Sequence, residues 1–551
     1  QVDNIIKRLV AEELKEQGSD INSEAVLTTN KIESIIPFLE GVQLARVGKY
    51  EEALASLKES LNADTTFALG YYRYVEVAGW VASVYDGNRR EEEYNPYFNR
   101  LEVMSNQVTG KTGELLRAKV AYLNSDMRSE RVYRKLLTKY GESVEIINGL
   151  AESIFHHRDI IAGDRSDAKP YFERLLELDP ANDEYLDHIM DIAERQGDLT
   201  AFQSYAQKVS ADSDQQEGLL FRETMLKDVV NDDDILALSK SLKPNQVLIA
   251  DRKIDINRGF DVQNRVAEVD GRFASLKGFL GRLQGVIGGK HDSVFQAEFA
   301  IFNQYKTLRE DPLYFLSQSS FQEIPIYGKY AKELIPKVEM TLKSIEEANP
   351  GAIFLEIEYI LGLLNLFEGN KNEADKYLSS IRSHFGNERL TFCGKTKDQA
   401  RLLYYNFAGF RDYMNEEYDQ AEVYFDSAVY QVKGVTLGYS ASLARPRNYH
   451  RAEYLIKQER HEEALKIYLN TLETSQLSIS VTGATWGFNV YRIAQMYDRL
   501  GQTNEAIGYY KKFLEAFESP DEMYMPWVND SFSRLSALIG RPEEELRGNI
   551  N

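Results

Sequence analysis

The chain has 551 residues, with 86 acidic against 65 basic side chains and a net charge of −21. That length exceeds what one compact core holds, unless the chain is an array in which each unit touches only its neighbours. Lys and Arg form no cluster beyond pairs such as Arg89-Arg90 and Lys511-Lys512, no run of 18 apolar residues occurs, and Cys393 is the single cysteine; nucleic acid is therefore not expected as a partner, no membrane-spanning helix is expected, and an intramolecular disulfide is excluded.

The acidity reads as a solvated, self-repelling surface. Proline is scarce, with 13 residues, which suits long helices. Tyrosine is abundant, with 34 against 3 Trp, as in helical seams where a ring packs while its hydroxyl stays wet. The sequence opens on Gln1-Val2-Asp3 without Met, as a processed chain or a fragment of a longer protein would.

Residues 1–30 read as a polar leader: Ile5, Ile6, Leu9 and Leu14 space out a short amphipathic helix, followed by a loop. Residues 31–210 form a first helical array. It begins with a pair of small residues twelve apart, Gly41 and Ala53, with Gly48 between them and Leu57 beyond. Residues 81–110 carry a polar insertion. Further on, Ala151 and Ala168 are separated by seventeen positions instead of twelve, so the turn holds an insertion over His157–Ser166. Ala168 and Phe172 share the packing face of the helix that follows, and Asp179-Pro180 ends it, because proline disfavours helix at the residue before it. A weaker unit spans 188–209, with Gly197 in its turn.

Residues 211–345 are the least repetitive, an irregular helical segment. Asp232-Asp233-Asp234 reads as a helix-capping, solvated turn and not as a metal site, and residues 247–257 fit either a helix or a short strand. Residues 346–551 form a second array with a capping helix at its end. The twelve-residue spacing recurs there as Gly362/Ala374, Gly409/Ala421, Ala452/Ala464 and Ala494/Ala506, with turn glycines at Gly369 and Gly501 and with Glu416 and Glu459 in the other two turns. The large residues that follow are Leu378, Phe425, Tyr468 and Tyr510.

Small residues at that offset let two helix backbones cross closely, a turn glycine reverses the chain, and the large residue fills the gap to the next helix. The pattern resembles the tetratricopeptide (TPR) unit of two antiparallel helices in about 34 residues. The fold expected is all-α: a right-handed α-solenoid of roughly seven to twelve TPR-like hairpins, in two arms joined near 211–345. Residues 38–74, 149–199 and 491–524 together resemble the TPR region attached to bacterial serine/threonine protein kinases, adenylate cyclases and winged-helix regulators. That resemblance implies a non-catalytic scaffold or regulatory module in bacterial signalling or complex assembly, holding a protein or peptide in its concave groove. It also implies a soluble region on the cytoplasmic or periplasmic side of a membrane-tethered assembly, with any activity in a separate domain. The alternatives are the effector arm of a transcription regulator or kinase, and an enzyme with its site in residues 250–330.

No catalytic, cofactor or metal residues are nominated. The stretches at 285–293 and 393–398 mimic phosphate loops, but Gln284 and Arg389 stand where the first glycine belongs, and His291 replaces the hydroxyl that would hold Mg²⁺. Cys393 with His384 or His450 lacks a third orienting group. His156 and His157 are adjacent and diverge by about 100° on a helix, so both cannot easily ligate one ion. Carboxylate clusters are explained by solvated helix faces. The aromatic groups at 71–74, 403–405 and 523–527 either pack between repeats or line the groove as partner anchors. Overpacking a crossing tests the register: Ala421→Leu or Ala506→Leu is expected to cost about 1–3 kcal/mol, read as a lower melting temperature.

Overall fold

The computed structural model describes residues 29, 31–81, 90–180, 182–211, 213, 216–227, 229–241, 324–348, 353–391, 394–435, 444–474 and 479–550, together with 262, 265, 266, 268 and 269. The leader helix, residues 247–257, His291 with its glycine-rich stretch and Cys393 all lie outside the described residues, as does most of 250–330.

Helices follow one another as antiparallel pairs. Up to residue 241 the described helices include α1 (Ile32–Arg46), α2 (Tyr50–Ala63), α3 (Ala68–Val81), α4 (Asn95–Ser105), α5 (Gly110–Leu123), α6 (Ser129–Tyr140), α7 (Val144–Glu152), α8 (Lys169–Leu178), α9 (Asp183–Arg195), α10 (Leu199–Ala206), α11 (Gln216–Leu226) and α12 (Asp232–Ser241). From residue 324 onward they include α13 (Ile324–Ala348), α14 (Leu355–Glu368), α15 (Lys371–Ser383), α16 (Thr396–Met414), α17 (Tyr418–Asp426), α18 (Arg445–Lys457), α19 (His461–Thr474), α20 (Ile479–Arg499), α21 (Thr503–Ala516), α22 (Met525–Ile539) and α23 (Glu543–Ile550). Each helix packs on its sequence neighbours, so the chain is an all-α solenoid. Among the described residues the one sheet is a two-residue antiparallel hairpin, Leu390–Thr391 with Gly394–Lys395.

The crossing alanines Ala53, Ala374, Ala421, Ala464 and Ala506 are all buried, as are the large residues Leu57, Leu378, Phe425, Tyr468 and Tyr510. A methyl group placed on Gly41 would meet Leu57 and the Ala53 carbonyl oxygen, and one on Gly409 would meet the Phe425 ring. At Gly362 the steric demand comes from elsewhere: the Phe407 ring of α16, in the next hairpin, occupies the space a side chain would need. That glycine therefore admits a ring from the next hairpin.

The turns are as informative. Gly48, Gly369 and Gly501 have φ of +73°, +89° and +72°. Glu416 and Glu459, which replace glycine in two hairpins, sit at +64° and +61°, a left-handed conformation that costs a residue with a Cβ roughly 1–2 kcal/mol. The acidic run at 232–234 opens α12, with Asn231 and Asp234 exchanging backbone-to-side-chain hydrogen bonds of 3.0 Å as a reciprocal cap.

The arms meet directly. The insertion after α7 widens into a π-turn at Ser153–His157 and a short loop. There Asn448 Nδ2 donates to the Ile160 carbonyl at 3.0 Å and Asn470 Nδ2 to the Ala162 carbonyl at 2.8 Å. Ile160 packs on Val429 and Ala444. Beside this, Gly434 N–H donates to the Asn124 carbonyl at 2.7 Å, and Ser125 Oγ to the Val435 carbonyl at 2.8 Å. Ser125 and Ala162, the non-glycine residues with positive φ among the described residues of the first array, both stand at these contacts.

Relieving the turn strain is expected to stabilise the second array. Glu416→Gly or Glu459→Gly should raise stability by about 0.5–1 kcal/mol, measured as a rise in melting temperature.

Candidate functional site

Helices α3, α5, α7 and α9, the first helices of successive hairpins, meet along one face of the first array. On an open solenoid this face is the groove that receives a partner. Here it is filled. Glu76 of α3 accepts from Lys119 Nζ of α5 at 2.5 Å and from Arg73 Nη1 at 2.8 Å. Glu76 and Lys119 are each 3% exposed, and the Lys119 ammonium also lies over the Tyr72 and Tyr122 rings, 5.3 and 5.2 Å from their centroids. Burial alone would raise the Glu76 carboxyl; the Lys119 and Arg73 charges outweigh it and hold the group below its ordinary value. Glu184 of α9 has the opposite fate. Burial, then the nearby Glu76 and Glu152 charges, push it well above the usual carboxylate range.

The array also coils back on itself. Arg46 at the end of α1 grips Asp179 after α8 with both Nε and Nη2, the Nε distances being 2.7 and 3.0 Å. The space left between Arg46, Arg73, Glu76, Trp80, Asp179 and Tyr185 is about 60 Å³, room for a few waters.

One stretch of this spine gathers histidines. Tyr122 OH donates to Glu152 Oε2 at 3.0 Å. Glu152 Oε1 lies 3.1 Å from His188 Nε2, and His188 Nε2 lies 3.3 Å from His156 Nε2. His188 is clamped between Phe172, stacked at 4.6 Å, and the edge-on Phe155 at 4.7 Å. The surrounding protein, then His188 and Arg165, hold His156 well below its ordinary pKa. His157 turns away into the core, with Nδ1 2.8 Å from Ser129 Oγ and Nε2 3.1 Å from the Tyr122 carbonyl, and burial drops it to about 4. The two adjacent rings thus diverge, as helix geometry requires, while His188, thirty-two residues from His156, takes the neighbouring place. Beyond this lies a further buried ion cluster, Asp191 with Arg195 at 2.6 Å and Arg165 at 3.1 Å.

The clusters read as solvated, such as Glu92 and Glu544-Glu545, are exposed, but on this face Glu76, Glu145, Glu152 and Glu184 are all buried. The signal was present in the sequence as acids at positions where helical periodicity demands apolar residues; every residue of α7 is buried although two of its nine are Glu.

A second, open site lies where the arms meet. A cleft of about 440 Å³ is bounded by α4, the end of α5, the start of α16 and residues 431–435. Tyr94 and Phe98 stack on one wall, 5.8 Å apart. Arg117, Lys395, Lys397, Arg401 and Lys433 line it beside Glu102, Asp126 and Asp398. Lys395–Glu102 and Lys433–Asp126 are loose pairs at 3.8 Å each, whereas Lys397 is held by Glu388 at 2.5 Å.

The aromatic groups divide. Tyr71, Tyr72 and Tyr74 are buried packing residues. Tyr404 and Tyr405 are half-buried and join Phe385 and Tyr424 in an edge-to-face cluster, with the Arg382 and Arg401 guanidinium groups over two of its rings. Tyr524 is buried between Phe517 and Trp527. Of the histidines set beside Cys393, His450 is packed between Tyr413, Phe425 and Tyr454, and burial lowers it to about 4.

The tetratricopeptide repeat family profile matches residues 489–519, the hairpin of α20 and α21. No curated protein matches the sequence. Similar solved structures include the APC/C hetero-tetramer Cut9-Hcn1 (11% identity, covering 97% of this chain and 99% of that one, TM-score 0.29). The human IFIT1 dimer with m7Gppp-AAAA (13%, 92% and 94%, 0.24) and yeast Tom70 (12%, 91% and 95%, 0.24) are others. At these TM-scores the likeness carries no argument. Among the described residues, no helix is long and apolar enough to cross a membrane.

The Glu76–Lys119 pair sets an expectation for stability. Lys119→Met leaves a buried carboxylate short of its main partner and should destabilise the first array by about 3–5 kcal/mol, whereas Glu76→Met with Lys119→Met should recover most of the loss; urea unfolding followed by circular dichroism measures both.

Proposed function

We propose that this chain is a non-catalytic scaffold or regulatory module that holds a protein partner, and that the partner docks an acidic segment in the cleft between the arms. The carrying observation is the contrast between the two concave surfaces. The inner face of the first array is filled by its own ion pairs, while the inter-arm cleft stays open and gathers five cationic side chains on a chain of net charge −21. A volume of about 440 Å³ lies within the range of small-ligand and short-peptide sites. Lys395, Lys433 and Arg401 are only loosely paired, at 3.7–3.9 Å, and can offer an incoming carboxylate or phosphate charge-assisted hydrogen bonds; Lys397 would have to exchange Glu388, which it holds at 2.5 Å. The Tyr94–Phe98 wall supplies the aromatic contact that interfaces favour.

The resemblance to TPR regions of bacterial kinases, cyclases and winged-helix regulators supports a finer version: a regulatory arm for an active domain elsewhere in the protein or assembly, in a bacterial signalling context, tethered at a membrane. The concave-groove role assigned to the array as a whole is narrowed here to the cleft.

Affinity capture tests the reading. The purified chain and its Lys397→Glu, Lys433→Glu variant are used as bait in a lysate of the source organism, with quantitative mass spectrometry. A specific partner recovered by the native chain and depleted at least tenfold by the variant is the expected outcome. Equal recovery by both removes the cleft from the proposal, and an absence of any specific partner removes the scaffold role.

A further inference from the structure

Glu152, His156 and His188 come from two hairpins, α7 with its π-turn and α9, and each places one candidate ligand atom within 4.8 Å of those of the other two. We propose that they form a binding site for one divalent ion of the zinc class, stapling the fourth hairpin of the first array to the fifth.

Geometry is the first argument. Zinc binds imidazole nitrogen and carboxylate oxygen at about 2.0–2.2 Å, and tetrahedral ligands at that radius are therefore about 3.3–3.5 Å from each other. The His156–His188 nitrogen separation is 3.3 Å and His188 Nε2 to Glu152 Oε1 is 3.1 Å, two edges close to those of such a tetrahedron. The carboxylate oxygen 3.5 Å from His156 Nε2 is Oε2, the one that Tyr122 holds, and all three residues place a ligand atom within 4.8 Å of the others, so a small carboxylate rotation completes the set.

The supporting groups are the second argument. His188 Nδ1 lies 2.8 Å from the Glu184 carbonyl oxygen. A carbonyl only accepts, so Nδ1 carries the proton and Nε2 presents a lone pair toward the cluster in the neutral ring. Its ring is held by Phe155 and Phe172. Tyr122 OH ties down one oxygen of Glu152 and leaves the other aimed at His188. That remaining oxygen, Oε1, is buried and accepts no hydrogen bond. Two acceptor lone pairs thus face each other at 3.1 Å, an arrangement that an added cation between them relieves. Histidine ligands oriented by a carbonyl and a carboxylate oriented by a hydroxyl are the outer-shell pattern of metal sites.

Access is the third. Glu152 is 4% exposed at its side chain and His188 12%, whereas His156 is 39% exposed, so the ion has an entry path and a fourth position on the solvent side for water or a donor from a partner. Two imidazoles with one carboxylate suit zinc and its cobalt substitute better than magnesium or calcium, which prefer all-oxygen sets.

The test uses the whole chain, stripped with chelator and titrated with Zn²⁺ and with Co²⁺ by calorimetry and visible absorption. One equivalent of Zn²⁺, the intense d–d bands of tetrahedral Co²⁺, and a melting temperature raised by Zn²⁺ are expected. Glu152→Gln and His156→Ala should lose the bands and the thermal shift. Tyr122→Phe, which removes only a supporting group, should weaken binding by roughly 10- to 100-fold, and His384→Ala, outside the cluster, should change nothing. Circular dichroism of each metal-free variant shows whether it is folded, and Glu152→Gln, the nearest in shape, keeps the comparison sound if His156→Ala is not. If the folded native chain binds no stoichiometric Zn²⁺, or if folded Glu152→Gln binds it as the native chain does, the three residues are an ordinary hydrogen-bonded cluster and the proposal is overturned.

Discussion

Two helix backbones can lie against each other only where the side chains between them are nearly absent, and this chain is built on that constraint. Ala53, Ala421, Ala464 and Ala506 are fully buried in the second helices of four hairpins, and at Gly41 even a single added methyl would run into Ala53 and Leu57. Close crossing turns each pair into a thin, flat unit. Flat units stack, and the large residues four positions beyond each alanine close the gap to the next helix. Stability is then spread along the stack as nearest-neighbour contacts and is not concentrated in one centre.

Stacking alone does not decide what the inner surface does. In the first array the coil is tight enough for α1 to reach the chain beyond α8 through Arg46 and Asp179, and the charges that line the inside become one another's partners. A carboxylate such as Glu76 is tolerated there because Lys119 and Arg73 surround it, while burial and the neighbouring Glu76 and Glu152 charges push Glu184 well above the usual carboxylate range. Such a spine spends desolvation energy on specificity of arrangement.

The seam between the arms rests on two strained loops. Ser125 and Ala162 both adopt left-handed backbone conformations, and both present groups that the second array engages by hydrogen bonds. Backbone strain persists where the surroundings over-determine it, and here the surroundings are the opposing arm. The insertion after α7 therefore has two products: the inter-arm contact on one side, and on the other the π-turn that places His156 beside His188 and Glu152.

What the sequence determined by itself is everything set by short-range periodicity. The hairpins, their turns at Gly48, Gly369 and Gly501, the left-handed replacements at Glu416 and Glu459, and the insertion before Ala168 all follow from side-chain size and backbone freedom at fixed offsets, which a linear text displays. Packing at Phe425, Tyr468 and Tyr510 was legible for the same reason. The steric role of Gly362 was not, because the ring it admits, Phe407, belongs to the next hairpin and the distance between hairpins is not periodic. Nor was the buried spine legible: Glu76 and Lys119 are forty-three residues apart, His156 and His188 thirty-two, and whether an acid at a helix position meets water or a buried ammonium depends on how far the solenoid coils. Superhelical curvature sums small rotations over many hairpins, so no single repeat encodes it, and only the tertiary structure decides which charges end inside and where the two arms touch.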